Sequence, residues 1–180
     1  DQLNLSGYEL VSRRDRRDGR SGGGILCFVS SRFAGQVILC EHSEVDERTW
    51  HIVHADIGPV LFGAWYRPPC AGETASITAC EDEWRRLSQS YVATILVGDL
   101  NVHHQQWLRF SSSTSVEGTA LFRFCMGSGL KQRVKEPTRA EHLLDLVLSD
   151  VDPVHVDVLG QIADHNIVVA AFKFGVPEAV

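Results

Sequence analysis

Short apolar segments bounded by turn residues run along nearly the whole chain, and this pattern limits what the chain can fold into. Each segment has the length of a β-strand and is too short to span a bilayer. Two other stretches, Cys80 to Tyr91 and Leu121 to Cys125, carry apolar residues at helical spacing. Many strands with two helices among them predict an α+β protein whose helices pack on sheets. The predicted strands are Gly24–Ser30, Gln36–Cys40, Trp50–Ala55, Val60–Tyr66, Ala93–Gly98, Leu143–Ser149, Val154–Val158 and Ile167–Phe174.

A chain of 180 residues that is 44% hydrophobic can bury the core of one domain, and we predict a single domain over residues 1–180. The net charge of -6 argues against a protein that coats nucleic acid through bulk charge, but not against an enzyme whose carboxylates hold a metal ion. The five cysteines include no CxxC pair, which argues against a structural zinc site. Their odd number favours a reducing compartment, in which cysteines stay unpaired. Because the chain begins at Asp1 rather than Met, we expect a piece of a longer protein.

The apolar segment that ends at Gly98 runs directly into Asp99, and Asn101 follows two residues later. If the backbone stays extended, the two side chains point the same way. A carboxylate at a strand end can hold a divalent metal or orient a nucleophilic water, and an amide can hydrogen-bond to that water. An ordinary Asx turn after a strand gives the same pattern, so this segment alone leaves both interpretations open.

Asp145 is the polar residue within the apolar run Leu143–Leu148. Burying an unpaired carboxylate is costly, so Asp145 needs a partner unless it lies on an edge strand and faces water. His165 offers such a partner, because a carboxylate that binds a histidine fixes its tautomer and stabilises its charged form. Asp164 and His165 point to opposite sides of an extended backbone, so one could hold a metal while the other reaches a substrate.

Tyr66 and Arg67 end another predicted strand, just before two prolines. Both side chains donate hydrogen bonds that suit phosphate, and the prolines restrict the loop that presents them. Read alone, the segment is more simply explained as an ordinary strand terminator.

Together, these four strand ends resemble the endonuclease/exonuclease/phosphatase superfamily. The run Gly98–His104, with Trp107 after it, is similar to a stretch found in the apurinic-type endonuclease domains of non-LTR (LINE-type) retrotransposons. Gly22–Ile25 and Glu136–Arg139 resemble segments of the same domains. The resemblance covers nearly the whole chain.

This resemblance implies a four-layer α/β/β/α sandwich of two packed, mainly antiparallel sheets, missing its first strands at the N-terminus. The implied reaction is Mg²⁺-dependent hydrolysis of a phosphodiester, with Mn²⁺ as a possible substitute. It would nick double-stranded DNA and leave a 3′ hydroxyl that primes reverse transcription. The resemblance further implies a covalently linked reverse transcriptase domain in a longer polyprotein, action in the nucleus of the cell and no membrane association.

The resemblance also assigns roles to the strand-end residues. Asp99 would activate or position the attacking water, and Asn101 would orient it. His165, held by Asp145, would contact the scissile phosphate, while Asp164 would lie near the metal.

Phosphate and DNA contacts are expected from other segments. Tyr66 would bind the phosphate in the active site. Loops present the remaining candidates, above all the arginine-rich stretch before Gly24 and the serine-rich stretch Ser111–Ser115. The predicted DNA-binding residues are Arg13, Arg14, Arg16, Arg17, Arg67, His103 and His104.

The chain departs from the family pattern in ways that leave other functions open. The family's first strands, which end in an Asn and in a metal-binding Glu, would lie upstream of Asp1, and Ala163 stands where the family usually has Ser. One alternative is therefore a catalytically impaired domain that binds DNA or has a structural role. Another is a phosphatase of the same superfamily that acts on a small molecule.

Overall fold

The computed structural model describes residues 4–16 and 23–178. Within these residues the chain forms ten strands and two α-helices. In chain order they are β1 (Tyr8–Arg14), β2 (Ile25–Ser30), β3 (Val37–His42), β4 (Glu47–Ala55), β5 (Gly58–Tyr66), α1 (Ala75–Leu87), β6 (Ala93–Asp99), α2 (Val116–Ser128), β7 (Lys131–Gln132), β8 (Asp145–Ser149), β9 (Pro153–Gln161) and β10 (Asn166–Phe172).

Six strands form a central sheet in the order β3-β4-β5-β6-β8-β7. All neighbours in this sheet are antiparallel except β5 and β6, which run parallel. Parallel neighbours need a long crossover connection, and α1 supplies it. The parallel pair brings the carboxyl ends of β5 and β6 to the same rim of the sheet.

Both helices pack on one face of this sheet. The helices contact each other through the rings of Trp84 in α1 and Phe124 in α2, whose centroids are 5.7 Å apart. Ser115 caps the N-terminus of helix α2, since its side chain accepts a hydrogen bond from the Gly118 amide at 3.0 Å. Gly129 caps the C-terminus with a φ of 75°, the left-handed conformation that glycine adopts without steric cost.

Two β-hairpins cover the opposite face of the central sheet. In the β1–β2 hairpin, Ser12 hydrogen-bonds His51 of β4 at 2.8 Å, and both side chains are buried. In the β9–β10 hairpin, Phe172 packs against a small apolar cluster that includes Val60 and Ile95 of the central sheet. The side chains of β4 alternate accordingly, because His51 faces the hairpins while its neighbour Trp50 faces α1.

The α+β class and every predicted strand and helix are confirmed, with shifts of a few residues at their ends. Strand β1 was not predicted, since a bulge between Leu10 and Ser12 breaks the alternation of its side chains. Within the described residues, the helices, the central sheet and the two hairpins form three of the four expected layers. The second strand layer consists of these two separate hairpins. Within the described part of the chain, no helix is long and apolar enough to span a membrane.

Candidate active site

At one rim of the central sheet, strands β5 and β6 end and strand β8 begins. Asp99, the last residue of β6, lies directly opposite Asp145, the first residue of β8, in the antiparallel register. The Arg67 amide, just after β5, donates to the Asp99 carbonyl at 2.9 Å and so keeps the end of β5 beside β6. Tyr66, Asp99 and Asp145 therefore meet along this rim although they are distant in sequence.

His165 joins this row from the turn between β9 and β10. Its Nδ1 lies 2.7 Å from Asp145 Oδ2, and its Nε2 lies 3.9 Å from Asp99 Oδ2. With Asp145 as the acceptor, Nδ1 carries the proton and Nε2 is left for another partner. The predicted pairing of His165 with Asp145 is thus present in the structure.

A residue without a predicted role, Thr138, holds β8 and the β9–β10 turn together. Its side chain is fully buried, and its hydroxyl oxygen accepts hydrogen bonds from the amides of Leu144 and Asp145 at 3.1 and 2.9 Å. Its carbonyl accepts the Asn166 amide at 2.7 Å. Thr138 thereby anchors the backbone on both sides of the His165–Asp145 pair. The sequence pointed to this segment only through the resemblance of Glu136–Arg139.

The carboxylate of Asp99 is electrostatically unusual. Burial, together with the like charge of Asp145, raises the pKa of Asp99 to about 6, although His165 and hydrogen bonds from Asn101 act in the opposite direction. Asp99 Oδ1 is buried, and among the described residues no donor reaches it. Such an unpaired buried carboxylate oxygen is costly unless something else binds it.

A divalent cation would satisfy this oxygen. Asp99, Asp145 and His165 can each offer one ligand atom, and these atoms all lie within 4.8 Å of one another. Carboxylate oxygens are the ligands that Mg²⁺ and Mn²⁺ prefer, and a cation between two like-charged carboxylates removes their repulsion. The residues present therefore fit a metal site.

The three side chains lie in an open cleft of about 420 Å³. Tyr66 and Asn101, both predicted site residues, line this cleft as well. Asn101 has a φ of 47°, and its amide donates to the Arg67 carbonyl at 3.0 Å. The side chain of Asp164 also lines the cleft, but its carboxylate lies 2.8 Å from the guanidinium of Arg139 and is outside the metal-fitting cluster. Its role as a metal ligand stays a prediction.

Two of the predicted DNA contacts must be corrected, because their side chains are buried. Arg67 is 1% exposed, and its guanidinium donates to Ser76 Oγ at 3.1 Å and to the Glu73 carbonyl at 2.6 Å. It therefore fixes the loop before α1 rather than facing DNA. His104 is 7% exposed, and its ring packs on Phe122 with centroids 4.8 Å apart. The aromatic contact explains why this histidine lies inside.

The other predicted DNA contacts are placed differently from one another. His103 is half-buried, and its ring packs edge-on against His142, with centroids 5.6 Å apart. Arg13 is exposed and pairs with Asp15 at 2.8 Å. Arg14 and Arg16 are half-buried instead and bind their own chain; these contacts are to the Ser43 carbonyl at 2.6 Å and to Glu47 at 3.3 Å, respectively. Arg17 lies outside the described residues. DNA contact by these arginines and by His103 stays a prediction.

Fold and site together place the chain in the endonuclease/exonuclease/phosphatase superfamily, as the strand-end residues predicted. Residues 60–169 match the sequence profile of the family described as Endonuclease-reverse transcriptase, and the chain belongs to this family. Its membership supports a nuclease-type hydrolase. No curated protein sequence matches the chain.

Two solved structures share the fold. The endonuclease domain of TRAS1, a telomere-specific non-LTR retrotransposon, superposes with a TM-score of 0.70 at 14% identity, over 94% of this chain and 81% of that domain. A mannosyl-6-phosphatase of Bacteroides thetaiotaomicron superposes with a TM-score of 0.58 at 17% identity, over 93% of this chain and 78% of the phosphatase. These likenesses confirm the fold.

Proposed function

We propose that the chain is a Mg²⁺-dependent DNA endonuclease, able to use Mn²⁺, that nicks double-stranded target DNA. The nick would leave a 3′ hydroxyl from which a reverse transcriptase, covalently linked in a longer polyprotein, starts synthesis in the nucleus. The observation that carries this proposal is the cluster of Asp99, Asp145 and His165, in which Asp99 Oδ1 is buried without a donor among the described residues. Membership of the Endonuclease-reverse transcriptase family agrees with it.

The chain's own residues divide the work as follows. Asp145 accepts a hydrogen bond from Nδ1 of His165 and stabilises the imidazolium form of the ring, in which the Nε2–H group donates to the scissile phosphate. Asp99 accepts a proton from the attacking water as the water oxygen bonds to phosphorus and the P–O3′ bond breaks, and the 3′ oxygen takes its proton from solvent. Asn101, whose amide nitrogen donates to the Arg67 carbonyl, offers its amide oxygen to the attacking water. Tyr66 lies at the same cleft to donate to a phosphate oxygen. A cation held by Asp99 and Asp145 would neutralise charge on the phosphate.

The test is nicking of supercoiled plasmid by the 180-residue chain, with Mg²⁺ and with EDTA. We expect cleavage that requires Mg²⁺, and a loss of about 10²–10⁴-fold in each of the variants Asp99→Ala and His165→Ala, since each removes a group that acts on the reacting atoms. Asp82→Ala and His155→Ala, at exposed positions away from the cleft, are the matched controls.

Other outcomes would favour the alternatives. Salt-sensitive DNA binding without any Mg²⁺-dependent cleavage would indicate a catalytically impaired DNA-binding domain. Hydrolysis of small phosphate monoesters that plasmid DNA does not inhibit would indicate a phosphatase. Near-normal nicking by Asp99→Ala would remove that residue from the site.

A further inference from the structure

A second cleft of about 530 Å³ lies beside the active site and has no part in the mechanism above. Its volume is within the range of small-molecule sites in proteins, about 300–1,000 Å³. One wall comes from the serine-rich loop after Arg109 and the other from the loop that leads into β8. The lining residues are Phe110, Ser112, Pro137, Ala140, Glu141 and His142.

Phe110 is held in a conformation that a large residue rarely adopts. Its φ is 67°, in the left-handed region, and 47% of the residue is exposed. Left-handed backbone at a bulky residue is strained, and such strain is concentrated at functional sites. The loop is tied down at its base, where the Ser115 amide donates to the His103 carbonyl at 2.9 Å. The aromatic ring is therefore presented on an anchored loop.

The opposite wall is also fixed. The backbones of His142 and Arg139 exchange two hydrogen bonds, at 2.8 and 3.0 Å, across a turn in which Ala140 has a φ of 48°. The ring of His142 is set by its edge-on contact with His103. A ring on an anchored loop and a ring held by an aromatic contact thus line one cleft.

This wall is continuous with the active site. Arg139 lines the active-site cleft, and the next residues along the chain, Ala140 and Glu141, line the second cleft. Consecutive Cα atoms are about 3.8 Å apart, so the two clefts lie within a nucleotide or two of each other on a bound strand.

We propose that the second cleft binds a nucleobase of the DNA next to the scissile phosphate, stacked against Phe110 and His142. This inference rests on the proposed function. Aromatic faces stack with every base, whereas the Glu141 carboxylate accepts hydrogen bonds from the exocyclic amino groups of adenine, cytosine and guanine. Thymine offers only its N3–H, between two carbonyl oxygens that repel a carboxylate, so the other three bases are the favoured occupants, and Ser112 can bond to any of them. The cleft gives the enzyme a base preference at one position beside the nick.

The first experiment measures base binding without cleavage. In EDTA, a short oligonucleotide with 2-aminopurine should bind the wild-type chain with a change in its fluorescence. Phe110→Ala should weaken the affinity about 5- to 100-fold, as expected for one stacked base, whereas Phe110→Tyr should retain it. Tyr8→Ala, which removes a similarly exposed ring on β1, is the matched control and should leave affinity unchanged.

The second experiment sequences the nicks made in plasmid DNA. Phe110→Ala should flatten the base preference at one position beside the nick, and Glu141→Gln should raise the share of thymine there. Equal affinities and equal base preferences for Phe110→Ala and Tyr8→Ala would overturn the inference. If the wild-type chain does not nick but binds 2-aminopurine through Phe110, the base site stands and the proposed nuclease function fails.

Discussion

Both faces of the central sheet bury charged side chains, but at Arg48 on the helix face opposite charges are paired, whereas at Asp99 on the hairpin face like charges lie together. On the helix face, Arg48 is fully buried and binds Glu83 at 2.8 Å and Asp46 at 3.1 Å. Glu83 also accepts from Ser43 at 2.6 Å and from Trp50 at 2.8 Å. On the hairpin face, the register places Asp99 directly opposite Asp145, so that two like charges share one site.

The pKa values of Glu83 and Asp99 differ accordingly. Burial alone would raise the pKa of Glu83, but hydrogen bonds and charge from Arg48, with help from Ser43 and Trp50, lower it overall. Burial and Asp145 raise the pKa of Asp99 to about 6. A buried charge with all its partners stabilises one structure, whereas a buried charge that lacks them marks a place where something else binds. We therefore interpret the Arg48 network as structural and the Asp99–Asp145 pair as a binding site.

Breaking the helix-face network should have the largest effect on stability. Arg48→Met leaves Glu83 and Asp46 without their shared cation in a buried position, and we expect the free energy of unfolding to fall by about 3–5 kcal/mol. Urea denaturation of the purified variant measures this loss. Arg85→Met is the matched control, because Arg85 is 59% exposed and its pairs with Glu81 and Asp82 lie on the surface of α1.

The control should lose less than about 1 kcal/mol, as exposed ion pairs do. A similar loss in both variants would show that the buried arginine is not special. It would also remove the contrast between the two faces.

A substitution at the active site should instead stabilise the fold. Asp99→Asn removes the repulsion from Asp145 and the cost of burying the charge, so we expect a gain on the order of 2 kcal/mol at pH 7 in EDTA. Plasmid nicking should be lost in the same variant. Denaturation of the wild-type chain and the variant under identical conditions gives the difference.

The sign of the pH dependence follows from the raised pKa of Asp99. The ordinary pKa of an aspartate, about 4, applies to Asp99 in the unfolded state, whereas its pKa in the folded state is about 6. Between these two pH values the folded state keeps a proton that the unfolded state has lost, so the stability of the wild-type chain falls as the pH rises. The gap to Asp99→Asn should therefore be near zero at low pH and complete above about pH 6. Mg²⁺ should narrow the gap by binding the folded wild-type chain. A gap that stays constant with pH would contradict the assignment.

The smallest effect is expected at the exposed ion pair of the cleft. Arg139 and Asp164 are 46% and 68% exposed in their side chains, so Arg139→Gln should change the free energy of unfolding by less than about 1 kcal/mol. If the pair matters for function, nicking should change more than stability does. A loss as large as that of Arg48→Met would show that exposure does not separate structural from surface pairs in this chain.

Much of the fold could be predicted because its elements are periodic in sequence. The apolar spacing around Trp84 and around Phe124 predicted both helices, and short apolar runs bounded by turn residues predicted eight of the strands. The short β7 strand and the bulged β1 strand have no such period. The burial of Arg67 could not be predicted either, since nothing in Tyr66-Arg67-Pro68-Pro69 reveals that the guanidinium binds Ser76 and Glu73 inside the protein.

The sequence by itself determined which residues end the strands, and thereby the candidates Tyr66, Asp99, Asp145 and His165. Their resemblance to a known family supplied the roles. Only the tertiary structure decided that Asp99 and Asp145 face each other, because their pairing depends on the register of strands that are 46 residues apart along the chain (145 minus 99). It also decided which arginines are buried. Register and burial depend on contacts between distant segments, which no local pattern of residues encodes.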